Sequence, residues 1–369
     1  MYYENKKVKD PIQATFNDLK LFEQNSYCYQ YIKLKNSEQS EETIKVHSEI
    51  ASAAFRQANE YYKSAEKATI ATSPLLYSYA MNNLLKGVCY LTTFDEKILE
   101  GFNAHGFKVE RKYLKDDILK SKVTIMKRFG AVQALLKLYN HSLQTQDICL
   151  YKVLRHIPNV EKFYYESTGN ISLIARRDKE DYDEFIFSGS NVDDEIKELA
   201  KELSIWIYTI PEHEKCNGFI SARTQAMFDE KVISEKDVYY KDYLNIPDKY
   251  EEGIKSLNIS FYCYILIMTY GMMVRYDANK WETYTDKKNS NYSTLIELSI
   301  PNSVMNFYYQ MHNLLFGFYY EDDSYSNMDI KRIIKEETPA IMNNITRKIK
   351  DDSFRINRNF CLPWKENVR

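Results

Sequence analysis

Glycine and proline are scarce in this chain, with 10 and 8 among 369 residues. That scarcity argues against a turn-rich or all-β protein and favours long helices. The six cysteines, at positions 28, 89, 149, 216, 263 and 361, include no CxxC pair, which removes zinc ribbons and dithiol redox motifs. Cys89 and Cys263 fall inside apolar runs, where a reduced thiol behaves as a small hydrophobe. No excess of either charge exists: 50 basic against 52 acidic side chains leave a formal charge of −2. No whole-molecule field therefore draws in nucleic acid, although a local basic patch remains compatible with this balance. GxGxxG and GxxxxGK[ST] are both absent, and with them the glycine-rich phosphate loops. HExxH and GxSxG are missing too, so neither a zincin nor a serine-hydrolase elbow is expected. His213-Glu-Lys-Cys216 offers two ligand types without a second pair and reads as a polar turn. The carboxylate pairs Asp116-Asp117, Asp193-Asp194 and Asp322-Asp323 lie in polar stretches and read as solvated or helix-capping groups. No cofactor and no metal are called for.

What the chain does have is tyrosine, 32 residues of it, an apolar body with a polar tip suited to core edges and interfaces. It also has one long uncharged run, Ile259 to Val274, closed by Arg275-Tyr276-Asp277 and followed by Trp281. A helix of that composition is apolar nearly all round, so other elements must enclose it. Its 16 residues fall short of the roughly 20 that a spanning helix needs. A buried core helix is expected, not a membrane segment. Ser73 to Thr92 has the same character and is its expected packing partner, with Ser73-Pro74 as a start signal in which the hydroxyl caps and proline takes the first turn. The opening Met1-Tyr-Tyr-Glu-Asn-Lys-Lys is polar, without a signal segment, and a cytoplasmic protein is expected.

In order along the chain, the period predicts a helix from Pro11 to Glu23, a polar connection, and a long helix from Thr43 to Lys67. Ser73–Thr92 follows. Helical steps are expected at Ile118–Phe129, Val132–Tyr139 and Gln146–His156. After Pro158 the period changes. Glu161 to Ala175 reads as two strands turning at Thr168-Gly-Asn170, with further strands at Tyr182–Phe187, Ser204–Ile210 and Gly218–Thr224, and a helix at Asp193–Leu203. The remainder is helical: the uncharged run, Ser293–Leu298, a separate helix from Pro301 onward, and Ile330–Ile349. The expected fold is mainly α, a helical bundle built on two buried apolar helices, with an inserted small antiparallel α+β unit. The expected division is an N-terminal helical region at 1–158, the α+β insertion at 159–245, and a C-terminal helical region at 246–369 that packs back on the N-terminal helices.

One constellation carries chemistry. His105-Gly106, followed by Arg111-Lys112, puts an imidazole and two cations in one short connection. Gly106 permits tight backbone geometry beside the imidazole. A neutral histidine near cations suits proton transfer at neutral pH, and the cations suit phosphate. Arg275, at the end of the uncharged run, is a second candidate; its plainer role is to neutralise the negative end of that helix. Lys86 is the one charge on the Ser73–Thr92 helix, and its plainer role is to reach solvent past a buried face. For His105 the plainer reading is a loop histidine bonded to a neighbouring helix end.

Three stretches in this order, Ser73-Pro-Leu-Leu-Tyr-Ser-Tyr-Ala with Leu84-Leu-Lys86-Gly, Ala104-His105-Gly106 with Arg111-Lys112, and Tyr270-Gly-Met-Met-Val-Arg275-Tyr276 with Trp281, resemble the YaaC-like proteins of bacteria. The resemblance runs from about Ala51 to Asn306 and implies a cytoplasmic protein. Its helical part is similar to HEPN-type bundles, many of which are RNases or RNA-binding partners in toxin and antiviral systems. HEPN RNases use an Arg followed by a His after four to six intervening residues, and no pair here has that spacing: Arg155-His156 is adjacent, and Arg128 to His141 is too long. Two functions are therefore expected as alternatives. The first is an interaction protein that works through a protein partner, a second copy of itself or RNA, with stress or phage defence as the setting that the resemblance implies. The second is an RNA-directed effector or nuclease with His105 as general acid or base, Arg111 and Arg275 beside it, and Lys86 and Lys112 holding phosphate.

Overall fold

The computed structural model describes residues 4–110, 117–127, 130–177, 184–188, 194–202, 206–209, 219–223, 239–240, 243–246, 248–255, 257–287, 290 and 292–322. The helix expected at Ile330–Ile349 and the turn at His213–Cys216 lie outside these residues, as do Arg111 and Lys112. The chain opens with strand β1 (Glu4–Val8) and helices α1 (Pro11–Leu21), α2 (Asn25–Lys35), α3 (Glu41–Glu66) and α4 (Ser73–Thr92). Asp10 caps α1 by accepting from the Gln13 N–H at 2.9 Å, and Ser40 caps α3 by accepting from the Thr43 N–H at 3.1 Å. The Tyr-dotted connection expected after α1 is the helix α2. At α4 the sequence signal marks the right place by another means. Thr72 is the cap residue, no side chain caps there, and Pro74 in the first turn supplies the preset backbone.

A short helix α5 (Glu96–Leu99) precedes strands β2 (Phe107–Val109) and β3 (Lys122–Ile125), helix α6 (Ala131–Leu138), strand β4 (Gln146–Cys149) and helix α7 (Leu150–Leu154). The strands β2, β3 and β4 pair antiparallel in that order. Helical steps were expected across 118–129 and 146–156; in the first, Lys122–Ile125 is strand after a single 3-10 turn at Ile118–Lys120, and in the second, Gln146–Cys149 is strand while Leu150–Leu154 is helix as expected. In β3, Val123 and Ile125 are buried while Lys122 and Thr124 are not, a period of two that outweighs the helical steps. Helix α8 (Glu161–Thr168) replaces the first arm of the expected hairpin. Gly169 ends it in the left-handed region at φ 74°, a helix stop and not a hairpin turn.

Strands β5 (Ile174–Arg177), β6 (Glu184–Ser188), β7 (Trp206–Thr209), β8 (Phe219–Arg223), β9 (Tyr239–Tyr240) and β10 (Tyr243–Asn245) form an antiparallel sheet in the order β7-β8-β6-β5-β10-β9, with helix α9 (Asp194–Glu202) between β6 and β7. A hairpin, β11 (Asp248–Tyr250) with β12 (Gly253–Lys255), leads into helix α10 (Ile259–Tyr276), then α11 (Ala278–Thr285), α12 (Ser293–Phe316) and strand β13 (Phe318–Asp322). The two helices expected around Pro301 are one, with Pro301 inside α12. Buried residues on both sides of the proline carry the helix through a residue that costs about 3 kcal/mol in a helix interior.

The uncharged run is the core helix α10. Asn258 caps it through its side-chain oxygen to the Ser260 N–H at 2.9 Å, and every residue from Ile259 to Gly271 is buried. It packs against α4 and α12, and α3 packs on α4. The chain is mainly α, with an antiparallel α+β unit inserted between helical segments. Small residues set the crossings. A Cβ at Gly271 would stand 2.7 Å from the Ser78 Oγ, and one at Gly87 would stand 2.7 Å from the Phe55 ring. Trp281 is buried behind the end of α10, 5.1 Å from the Tyr270 ring, and donates its Nε1–H to the Ile70 carbonyl at 2.9 Å. Buried burden of this kind, about 1.5–3 kcal/mol for each enclosed large apolar side chain, makes α4, α10 and α12 the frame on which everything else is hung. β1 and β13 pair in parallel and bring the two ends of the described chain together. Among the described residues no helix is long and apolar enough to cross a membrane.

Candidate functional site

The connection after α5 carries His105 to the start of α6. Backbone geometry holds it there. Gly106 has φ 80° and Gly130 has φ 134°, conformations open to glycine and costly for other residues. The carbonyls of Ala104 and His105 accept from the N–H groups of Ala131 and Val132 at 3.0 and 3.1 Å. The Gly106 carbonyl accepts from the Met126 N–H at 2.9 Å. His105 is thus fixed through its backbone, while its side chain stays exposed and makes no hydrogen bond among the described residues.

Arg275 leaves the last turn of α10 at the surface, with its guanidinium carbon 5.0 Å from the Tyr276 ring centroid. Its charge acts on His105. The imidazole pKa is lowered first by the water that packing removes from the ring and then by the Arg275 charge. The two candidates from distant parts of the chain therefore share one local field. Lys86 exerts no resolved effect on His105. It is half-buried on α4 without an ion pair among the described residues, and Arg275 is the one charge among them that shifts His105. Arg111 and Lys112 lie outside the described residues.

The chain belongs to the YaaC-like family. The family's model, YaaC-like Protein, matches residues 20–315, a span that takes in α2 through nearly all of α12 and so includes both His105 and Arg275. No curated protein and no solved structure matches this YaaC-like chain. The likeness of its bundle to HEPN proteins gains nothing from these comparisons.

Sequence reasoning missed a depression of about 390 Å³ beside the His105 connection, lined by Lys97, Ile98, Lys127, Gly130, Gln133, Ala134 and Lys137. Three lysines and no carboxylate line it. They come from α5, the end of β3's loop and α6, so no local run of basic residues announces them. It missed a second cluster as well, which is internal. Arg155 and Asp248, both buried, pair at 2.5 Å, and Glu195 lies 3.5 Å from Arg155 and also bonds Lys152. His156 stacks on Tyr262 at 3.9 Å, with Nδ1 2.7 Å from the Asn245 Oδ1 and Nε2 3.4 Å from the Asp248 Oδ2. Burial alone would raise the Asp248 pKa, yet Arg155 and His156 hold it well below the carboxylate range. Because His156 has no exposed surface, this cluster ties α7 to α9 and β11 and offers nothing to a substrate. Among the described residues no group of three or more His, Cys, Asp or Glu is placed to hold a metal.

Proposed function

We propose that this YaaC-like protein acts by macromolecular interaction, binding RNA through the exposed side chains of His105 and Arg275, which share one local field. The observation that carries the reading is the shared field of those two side chains, one a fixed positive charge and one a neutral imidazole with both nitrogens uncommitted among the described residues. A guanidinium without an ion pair among the described residues favours phosphate, and a neutral imidazole can bond a base edge or a 2′-hydroxyl. The overall charge of −2 means that attraction must come from this face and not from the whole molecule.

The same pairing favours a second reading, an RNA-directed effector. His105, kept neutral beside a cation, could take a proton from a 2′-hydroxyl while Arg275 holds the phosphate. For either reading we propose stress response or phage defence as the setting, by analogy with the HEPN-type proteins that the bundle resembles.

Equilibrium binding of a dye-labelled single-stranded RNA at low salt tests both. Arg275→Ala and His105→Ala should each weaken binding about five-fold or more, while Lys33→Gln on α2 leaves it unchanged. Wild-type protein that binds no RNA at low salt overturns the proposal. Shortened RNA from the wild type but not from His105→Ala selects the effector reading, and intact RNA rejects it. Light scattering on the same samples reports whether a second copy of the chain binds instead.

A further inference from the structure

We infer that the lysine-lined depression between α5 and α6 is a phosphate subsite of the same face, an inference that rests on the RNA reading only for the source of the phosphate. Its size, about 390 Å³, lies within the range of small-ligand sites. Lys97, Lys127 and Lys137 line it, and the acidic neighbours of Lys97, Glu96 and Glu100, do not. Lys137 has an exposed partner, Asp95, at 3.7 Å, a pairing too weak to cancel its charge for a ligand. Lys127 feels the Glu252 carboxylate, but that group is engaged by Lys255 and the Gln144 N–H. Lys97 has no ion pair among the described residues.

The start of α6 does not supply the binding groups. Its Ala131 and Val132 N–H groups are spent on the Ala104 and His105 carbonyls, and those of Gln133 and Ala134 go to Gly130. The ammonium groups therefore have to carry the anion, and Ile98 and Ala134 give it an apolar wall. Cations beside an apolar wall suit a phosphorylated ligand with a sugar or base attached.

Position joins the depression to His105. Gly130 lines it and lies against the backbone of His105 and Gly106, so one connection forms both the edge of the depression and the mount of the imidazole. An RNA strand held at His105 would continue past Gly130 into the depression.

The test uses the full chain and the variant Lys97→Gln/Lys127→Gln/Lys137→Gln, with its melting curve as a check on folding. One arm titrates inorganic pyrophosphate by calorimetry; the other measures RNA affinity from about 50 to about 200 mM salt. We expect the variant to lose pyrophosphate binding and its RNA salt slope to fall by about 2, since three contacts contribute about 0.7 each on a single strand. Pyrophosphate binding that depends on the lysines, without any RNA binding, upholds the subsite and rejects RNA as its source. RNA binding with an unchanged slope in the variant overturns the subsite and leaves the RNA reading standing. Wild-type protein that binds neither ligand overturns both. If the triple variant melts early, Lys97→Gln/Lys127→Gln replaces it, with an expected slope change of about 1.4.

Discussion

Gly106 and Gly130 touch through bare backbone: a Cβ on Gly130 would stand 2.2 Å from the Gly106 Cα. No side chain fits between them, and the φ of 134° at Gly130 disfavours one in any case. That contact seats the His105 connection on the first turn of α6 and closes one side of the lysine-lined depression.

Gly130→Ala should therefore cost about 3 kcal/mol or more, because backbone must move and the residue is strained as well. Gly169→Ala is the matched comparison. Its φ of 74° is also positive, but nothing lies within 4 Å of the added methyl, so a loss of about 1–2 kcal/mol is expected. Urea denaturation of the two variants checks the difference. Equal losses would show that strain alone, and not the close approach, sets the cost at Gly130.

Asp248→Asn removes the carboxylate that faces Arg155 and keeps its shape. Arg155 is 1% exposed, so its charge would be left buried with only the longer contact to Glu195. The expected loss is about 3–5 kcal/mol, read as a lower urea midpoint. A loss below about 1 kcal/mol would mean that the cluster is weakly coupled to the fold.

The frame was legible because composition and burial agree. Nothing but a core helix can hold Ile259–Val274, and Ser73-Pro74 marks its partner to the residue. The misreadings share one physical cause, which is that local preference is a weak guide where packing decides. Phe163-Tyr164-Tyr165 has strand preference, yet Tyr164 is buried as part of a helix that Gly169 stops. Pro301 signals a break that buried faces on both sides override. At the candidate site, Gly106 was readable as a residue of unusual backbone. The approach of Arg275 to His105 was not, since it depends on how α6 lies against α10. The depression was unreadable for the same reason: Lys97, Lys127 and Lys137 are ordinary surface lysines until the fold gathers them.

Three buried histidines give the fold a pH dependence whose sign is fixed. His47, His156 and His312 all have lowered pKa values, in each case chiefly because burial disfavours the charged ring. An unfolded histidine titrates near 6.5. As pH falls below that value, the unfolded chain takes up protons that the folded chain refuses. Stability is therefore complete above about pH 6.5 and declines below it, each histidine adding up to about 1.4 kcal/mol per pH unit until its folded value is reached. Urea midpoints between about pH 7.5 and 5.5 should fall, and more shallowly in His47→Gln, whose amide can still donate to the Tyr90 carbonyl that His47 meets at 3.1 Å. A flat profile would contradict the assignment of neutral rings to the core.

The claim that RNA meets the protein where His105, Arg275 and the lysines stand is tested most directly by cross-linking. A single-stranded RNA carrying 4-thiouridine is bound at low salt and irradiated, and the attached peptides are located by mass spectrometry. The account predicts cross-links within 97–106, 127–137 and 272–281, and their loss in Arg275→Ala together with the triple lysine variant. Cross-links confined to other surfaces, or none from RNA that is demonstrably bound, would contradict it.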